Sequence, residues 1–183
     1  MHRLLRSALC VLVATPLLFA GGVRFGATLG VFAPRDNVFK SIYGSAADVS
    51  PGLVLGVPLW RGLSLRLEAE YYERNGETSF TGEITRLRIY PLVLGLRYTL
   101  PLRRVRPFLE AGYLHLQLTE TAAIGSSSRN GGGYALCLGA VFPLSSRFEL
   151  ETFFRYTDVA VNADPQAVQM GGMAGGLAFL VRL

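Results

Sequence analysis

The sequence has few of the residues that build most metal, redox and nucleophilic sites. Its 183 residues include two histidines, two cysteines and a single lysine, Lys40. Past the N-terminal segment described below, only His115 and Cys137 of those histidines and cysteines remain, so the sequence supports neither a metal-ligand cluster nor an intrachain disulfide. The arginines are scattered and form no stripe, which argues against a nucleic-acid-binding surface. We expect no metal, no cofactor and no nucleic-acid partner.

The N-terminal segment has the three-part layout of a secretory signal peptide. Arg3 and Arg6 precede an almost wholly apolar run over residues 7–20, and Gly21 and Gly22 follow it. Basic residues, an apolar run and small residues in this order are typical of export signals. The run is also shorter than the roughly 20 residues that a transmembrane helix needs. We therefore expect residues 1–20 to be a cleaved signal peptide and residues 21–183 to be one exported domain.

Long apolar runs are absent from the rest of the chain, and strict alternation recurs instead. It is clearest after Gly62, where Leu63, Leu65 and Leu67 share one face of an extended strand. Eight alternating segments can be traced: 23–32, 53–60, 63–72, 84–100, 108–119, 134–142, 148–156 and 173–183. In two of them the leucine phase changes. We expect a bulge near Tyr90–Pro91 and a phase change after Tyr113 to bring all these leucines to one face.

The connections between the segments differ in length in a regular way. Those after the second, fourth and sixth segments are short, whereas 33–51, 74–83, 120–132 and 158–169 are long and polar or rich in glycine. Short turns at one end and long loops at the other are typical of outer-membrane barrels. The sequence therefore predicts an all-β fold, an eight-stranded antiparallel up-and-down transmembrane β-barrel with its leucines facing lipid. A soluble lipocalin-like carrier, with its leucines inside, is the alternative fold.

Two stretches resemble a known family. RIYPLVLGLRYTLP, followed by RPFLEAGYLHL, is similar to small bacterial outer-membrane β-barrel proteins of the OmpA/OmpX-like type. The closing GGLAFLVRL resembles the terminal strand by which such proteins are recognised for insertion, although Leu183 replaces the usual final aromatic residue. The resemblance implies a place in the bacterial outer membrane, with lipopolysaccharide and other lipids around the barrel and the barrel-assembly machinery as a partner. It specifies an architecture but no activity.

The face opposite the leucines is expected to form a polar network inside the barrel. An eight-stranded barrel encloses a lumen only wide enough for its own side chains, so paired charges should close it to diffusion. The predicted network consists of Arg24, Arg66, Glu68, Glu70, Glu110, His115, Glu149, Glu151 and Arg155. We predict a non-enzymatic outer-membrane protein with a plugged lumen, either structural or binding an extracellular partner through its long loops.

One enzymatic alternative depends on His115. Barrel enzymes that remove acyl chains from lipid A or phospholipid need a nucleophilic serine next to a histidine. The strand around His115 reads YLHLQLTE and contains no serine. A loop serine, or an acid such as Glu110 or Glu120, would have to approach in three dimensions. We expect His115 to be a hydrogen-bonded residue of the lumen, and we predict no catalytic residues.

The predicted topology can be tested with introduced cysteines. We expect Ser45, Gly76, Ser127 and Asp164 to face the outside of the cell, and Arg61, Arg104 and Ser145 to face the periplasm. In a Cys137→Ala background, a membrane-impermeant thiol reagent should label Ser127→Cys but not Arg104→Cys on intact cells. Labelling of Arg104→Cys alone would show that the orientation is reversed.

Overall fold

The structure of this chain is a computed structural model that describes residues 22–35, 47–77, 84–122, 125–163 and 166–183. Within these ranges, no helix is long and apolar enough to cross a membrane. The predicted signal peptide lies outside the described residues, as do Ser45 and Asp164. The described chain forms the strands β1 (Arg24–Pro34), β2 (Asp48–Trp60), β3 (Leu63–Glu70), β4 (Tyr72–Glu77), β5 (Ile84–Thr99), β6 (Arg106–Ala122), β7 (Gly125–Pro143), β8 (Phe148–Ala163), β9 (Gln166–Gln169) and β10 (Gly172–Arg182).

These strands form one closed antiparallel barrel. β1 pairs with β2 on one side and closes the barrel by pairing with β10 on the other, from Arg24 opposite Arg182 to Pro34 opposite Gly172. β3 and β4 follow one another along β5, and β9 and β10 follow one another along β8. Each of these two pairs occupies one strand position, so the ten strands form an eight-stranded barrel, which confirms the predicted fold. Within the closed part of the barrel each strand pairs on both sides, so no sheet edge there faces lipid, as spanning a bilayer requires.

The alternation places apolar side chains outside and charged ones inside. On β5, Leu94 is 49% exposed and the outward Leu92 and Leu96 flank it, whereas the inward Arg97 is 3% exposed. A soluble protein would bury the leucines and expose the arginine, because apolar surface leaves water and charge stays in it. This distribution suits a barrel surrounded by lipid. It is inconsistent with the soluble carrier, in which the leucines would fill the lumen.

Tyrosines lie along one side of the barrel, from the β3–β4 junction to β8, where the leucine-rich band ends. Tyr71 contacts Tyr90, with ring centroids 5.3 Å apart, and Tyr134 contacts Tyr156 at 6.3 Å. Tyr113, directly opposite Tyr134 in the β6–β7 pairing, is also exposed. Such girdles lie at membrane interfaces, because the ring is apolar and the hydroxyl can reach water. We call these five residues the tyrosine belt.

The barrel has a turn end and a loop end. At the turn end, β2 and β3 are joined by Arg61 and Gly62 alone, and both have positive φ, 31° and 88°. This conformation is typical of two-residue hairpin turns, whose twist matches that of the strands. The connections 100–105 and 144–147 lie at the same end, and so do the barrel's two termini, because the amide of Leu183 donates to the carbonyl of Val23.

Both predicted changes of phase are wrong. β5 pairs with β6 without a break from Arg86 to Thr99, through Tyr90 and Pro91. β6 likewise pairs with β7 without a break past Tyr113. Since an unbroken strand keeps its alternation, the leucine-phase residues on the loop side of these points enter the lumen. They are Leu87, Ile89, Leu114, Leu116 and Leu118, all buried.

The same correction applies to His115. In an unbroken β6 it has the outward phase, between the buried Leu114 and Leu116, and it is exposed. The prediction that His115 belongs to the lumen network is therefore wrong. The sequence reading failed because it assigned leucines to the lipid face, whereas strand pairing decides which face each residue occupies.

Where the structure describes the predicted loops, they are largely strand. β6 continues to Ala122 and β7 begins at Gly125, so the segment SSSRNGGG, predicted to be a surface loop, pairs with β6 in regular register. Parts of predicted loops 74–83 and 158–169 likewise belong to β4 and β9. Glycine and serine are poor strand formers, but continued backbone pairing across a hairpin overrides that weak preference.

The lipid-facing assignment of Leu65 predicts a sensitivity to charge. Leu65→Arg should lower the free energy of unfolding in lipid vesicles by about 2 to 4 kcal/mol, the range for arginine on the lipid face near the midplane. Leu65→Met keeps an apolar side chain of similar volume and serves as the control. Equal stability of the two variants, measured by urea titration, would contradict the assigned faces.

Candidate functional site

Six arginines and five glutamates meet inside the barrel and form what we call the ion-pair plug. It consists of Arg24, Arg66, Arg97, Arg106, Arg155, Arg182, Glu68, Glu70, Glu110, Glu149 and Glu151. The alternation of β1, β3, β5, β6, β8 and β10 directs these side chains to one interior. Buried charges are tolerated when each has partners of opposite sign, and here guanidinium and carboxylate groups nearly balance.

Glu151 occupies the centre of the plug and is fully buried, with 0% exposure. Arg66 from β3 reaches it with Nη2 at 2.8 Å from Oε1, and Arg97 from β5 reaches it with Nη1 at 2.8 Å from Oε2. Both arginines come from strands on the side of the barrel opposite β8. Arg66 also donates from Nη1 to Oε2 of Glu151 at 3.2 Å. These ion pairs and this charge-assisted hydrogen bond tie opposite walls of the barrel together.

Two further sets of contacts extend the centre. Arg97 donates from Nε to Glu110 at 2.9 Å, and its guanidinium lies 3.5 Å from the ring centroid of Phe108. On the loop side, Arg155 contacts Glu68 at 2.7 Å and Glu70 at 2.9 Å. Arg97 therefore pairs with carboxylates through its guanidinium N–H groups and contacts an aromatic ring through its planar cation.

The turn end of the plug is organised around one carboxylate. Glu149 receives Arg24 from β1 at 3.1 Å and Arg106 from β6 at 3.1 Å, and it is also bonded to Arg182 of β10. These arginines are only partly buried, whereas the Glu149 side chain is 2% exposed. The plug therefore extends from the barrel centre to the periplasmic opening predicted at the turn end.

The structure brings together most of the residues expected in the lumen and adds others. Eight of the nine expected residues, all but His115, lie in the plug; its other three members, Arg97, Arg106 and Arg182, were not in the predicted network. Arg97 sits between the outward Leu96 and Tyr98, so the alternation of β5 would have identified it. Arg106 was assigned to the turn before β6, but it is the first residue of that strand.

On the loop side of the plug, the lumen changes from charged to apolar. A cluster of buried side chains lies there, including Tyr72, Ile89, Val93, Leu114, Leu116 and Val159, with the partly buried Phe32 and Met170 packed against it. A small cavity lies among these residues, and Glu70 and Arg155 also line it. Because β5 and β6 keep their alternation without a break, their loop-side apolar residues point into the lumen and form much of this apolar layer. The sequence analysis did not predict it.

Beyond the tyrosine belt, the strands carry polar side chains on their outer face. The Tyr71 hydroxyl donates to the carboxylate of Glu73, which also pairs with Arg86 and Arg88 at 3.3 Å each. The hydrogen bond from Tyr71, assisted by these two arginines, lowers the pKa of the exposed Glu73 carboxyl. This cluster is therefore ionised and accessible at neutral pH.

The described residues give no support for a metal or acyl-transfer centre. No group of three histidine, cysteine or acidic side chains within them could hold a metal ion. The exposed ring of His115 is on the outer surface of β6, whereas Glu110 of the same strand points into the plug. The barrel wall therefore separates this imidazole from the carboxylates of the lumen, which would have to orient it in a catalytic triad.

The fold and its charged interior agree with a family match. A family model described as the outer membrane protein beta-barrel domain matches residues 7–173. The chain belongs to this family. No curated protein sequence matches the chain significantly. Membership in this family supports a location in the bacterial outer membrane, and it includes no statement about an activity.

Solved structures of this architecture are similar over nearly the whole chain. Neisserial surface protein A is 17% identical, with a TM-score of 0.63 and coverage of 88% of this chain and 96% of its own. The outer membrane protein OprG from Pseudomonas aeruginosa is 15% identical, with a TM-score of 0.68 and coverages of 90% and 96%. Ail, the attachment invasion locus protein of Yersinia pestis, is 12% identical, with a TM-score of 0.56 and coverages of 89% and 99%. These identities establish a shared fold only.

The geometry of the plug predicts a large effect of removing one partner. Arg66→Met leaves Glu151 without one of its two arginines, and breaking a buried ion pair in this way costs about 3 to 5 kcal/mol. Arg103→Met removes an exposed arginine from a turn and should change stability by about 0.5 kcal/mol at most. Urea unfolding in lipid vesicles measures both. Similar values for the two variants would show that the plug does not stabilise the barrel.

Proposed function

We propose that this protein is a closed, non-enzymatic barrel of the bacterial outer membrane that binds an extracellular partner at its loop end. The observation that carries the proposal is the ion-pair plug. It occupies the lumen from Glu149 near the turn end to the Arg155–Glu70 pair. A barrel filled in this way has no continuous water path, so its function is assigned to a surface and not to diffusion.

The plug opposes conduction because its charges hold one another. A permeating ion would have to separate Glu151 from Arg66 and Arg97, each 2.8 Å away. Separating a buried pair leaves an uncompensated charge in a poorly hydrated interior. Porins avoid this barrier by using 16 or more strands, which leave an aqueous channel at the centre. An eight-stranded barrel leaves no space for an aqueous channel.

The loop end supplies the surface for a partner. Above the tyrosine belt, β4 to β8 continue as paired strands with polar outer residues, among them Asn75, Arg86 and Asn130. A paired hairpin presents these side chains on a rigid frame, which lowers the ordering cost of binding. Arg86 and Arg88, just above Tyr90, are also placed to contact the phosphates of lipopolysaccharide. The neighbour named attachment invasion locus protein has the same fold, which is compatible with a surface-binding role.

The outward position of His115 supports the non-enzymatic assignment. A deacylase would need this imidazole beside a nucleophilic hydroxyl and an orienting carboxylate. The Glu68, Glu70, Glu110 and Glu151 carboxylates are occupied by arginines inside the barrel. Paired carboxylates of this kind do not serve as acid and base, so the lipid-modifying alternative has no residue set in the described chain.

The closed lumen predicts the electrical behaviour of the purified protein. Wild-type protein inserted in planar bilayers should show no discrete conductance steps, because the plug blocks the lumen. Combined replacement of Arg66, Arg97 and Glu151 by alanine should produce such steps in barrels that still show heat-modifiable gel migration. Alanine at the lipid-facing Leu65 and Leu94 is the matched control and should not conduct. Discrete steps from the wild type would refute the closed-barrel proposal.

The partner-binding proposal predicts that the β6–β7 hairpin is needed for attachment. Residues 117 and 130 are directly opposite one another, so replacing residues 117–130 by Asn-Gly shortens both strands equally and leaves the barrel register intact. Bacteria that express this variant should adhere to host cells at least tenfold less than bacteria with the wild type. Replacement of Arg103 and Arg104 by serine, at the turn end, is the control. Undiminished adherence of the shortened variant would assign attachment elsewhere.

A further inference from the structure

Three arginines meet around a single carboxylate at the turn-end opening of the lumen. Arg24 begins β1, Arg106 begins β6 and Arg182 ends β10. Within the described ranges, Glu149 is the one acidic side chain that pairs with any of the three. The rest of the plug contains three arginines and four glutamates. An excess of two positive charges is therefore concentrated at this opening.

Two of these arginines are directly opposite one another. Arg24 and Arg182 face each other across β1 and β10, and like charges in this position destabilise a sheet. The buried Nε of Arg24 lies 3.1 Å from Oε2 of Glu149, but it makes no hydrogen bond with the described residues. One carboxylate shared by three guanidinium groups compensates this repulsion only in part. The arrangement therefore favours a further anion.

The guanidinium groups are accessible from the turn end. The side chains of Arg24, Arg106 and Arg182 are 24%, 26% and 35% exposed, whereas that of Glu149 is 2% exposed. On the other side of Arg24, β2 contributes Gly56, which adds no side chain to the opening. An anion can therefore reach the three arginines from water while their shared carboxylate stays buried.

The turns around this opening carry charge of the same sign. The connections β2–β3, β5–β6 and β7–β8 contain four exposed arginines: Arg61, Arg103, Arg104 and Arg147. None of these three connections contains an acidic residue. A surface with potential of one sign raises the local concentration of ions of the opposite sign. The turns therefore attract anions toward the arginines at the opening.

We infer that Arg24, Arg106 and Arg182 form a binding site for a phosphate group at the turn end of the lumen. Guanidinium groups bind phosphate through charge-assisted hydrogen bonds, because their fork of donors matches the geometry of the phosphate oxygens. A phosphate group with two negative charges also balances the local excess. A halide ion offers one charge and no set of acceptor oxygens. The site goes beyond the proposed attachment function and lies at the opposite end of the barrel.

Binding of inorganic phosphate to the purified, refolded protein tests the site. The protein is kept in a maltoside detergent, which contains no phosphate, and binding of labelled phosphate is measured by equilibrium dialysis in chloride buffer. The wild type should bind phosphate saturably. Arg106→Gln removes one guanidinium and should weaken binding about tenfold, the effect of losing a hydrogen bond between charged groups. Arg103→Gln removes the same charge from an exposed turn, where salt screens it, and should change the affinity less than about twofold.

A second pair of variants tests the site without removing an arginine. A Cβ added at Gly56 would lie 3.6 Å from Cβ of Arg24, an ordinary van der Waals contact. Gly56→Glu therefore places a carboxylate beside the arginines and should abolish phosphate binding. Gly56→Gln has the same shape without the charge and should retain it. This pair replaces Arg106→Gln if that variant does not fold, as judged by heat-modifiable migration.

The phosphate group is either free in solution or part of a lipid headgroup, and a second set of samples separates these sources. The protein is placed in phosphatidylcholine nanodiscs that also contain phosphatidic acid or, at equal charge, oleate. A lower affinity for labelled phosphate with phosphatidic acid than with oleate shows that lipid phosphate competes for the site. Equal affinities assign the site to a soluble anion.

The outcomes are distinguishable from those of the attachment proposal. Saturable binding that is weakened in Arg106→Gln or Gly56→Glu and intact in Arg103→Gln supports the site. Absence of saturable binding to the wild type refutes it. An equal loss in Arg106→Gln and Arg103→Gln also refutes it, because it shows attraction by overall charge alone, and so does unchanged binding in Gly56→Glu. Bacterial adherence does not enter this test, so either proposal can fail while the other stands.

Discussion

The buried carboxylate of Glu151 sets the central constraint on the barrel. Since it has no exposure to water, it must be paired within the protein, and its two short contacts come from Arg66 on β3 and Arg97 on β5. A one-residue slip of either strand would turn its arginine outward to the lipid and leave the buried carboxylate with one arginine instead of two. One buried charge thus links the registers of distant strands.

The interior of the barrel is divided into two layers with different chemistry. The layer toward the turn end holds arginines and glutamates, and the layer toward the loop end holds branched apolar side chains and a cavity. Outside, the order of environments is different: a leucine-rich band is followed by the tyrosine belt and then by polar strand ends. An apolar residue in the loop-end layer of the lumen is chemically like an apolar residue on the lipid face. Only the phase of its strand decides which of the two positions it occupies.

This division assigns different tasks to different parts of the molecule. In the proposed function, the plug provides rigidity and blocks passive diffusion, because separating its charges would leave them uncompensated in a buried interior. The strand ends above the tyrosine belt form a frame that carries polar groups such as the Glu73, Arg86 and Arg88 cluster beyond the lipid-facing band.

The sequence by itself determined the fold class. Apolar and polar residues alternate with a period of two in each segment, which is the pattern of a β-strand, and alternation of leucines with charged residues lets the leucine face of each strand contact lipid. It also indicated Glu68, Glu151 and Arg155 as lumen residues, since they lie opposite leucines in regular segments. It did not determine the phase of β5 and β6. Leu87, Leu114 and His115 were assigned to the wrong faces, because a leucine is equally at home in lipid and in an apolar lumen. Only the pairing of each strand with both neighbours decided this, since backbone hydrogen bonds through Tyr90 and Tyr113 leave no residue for a bulge.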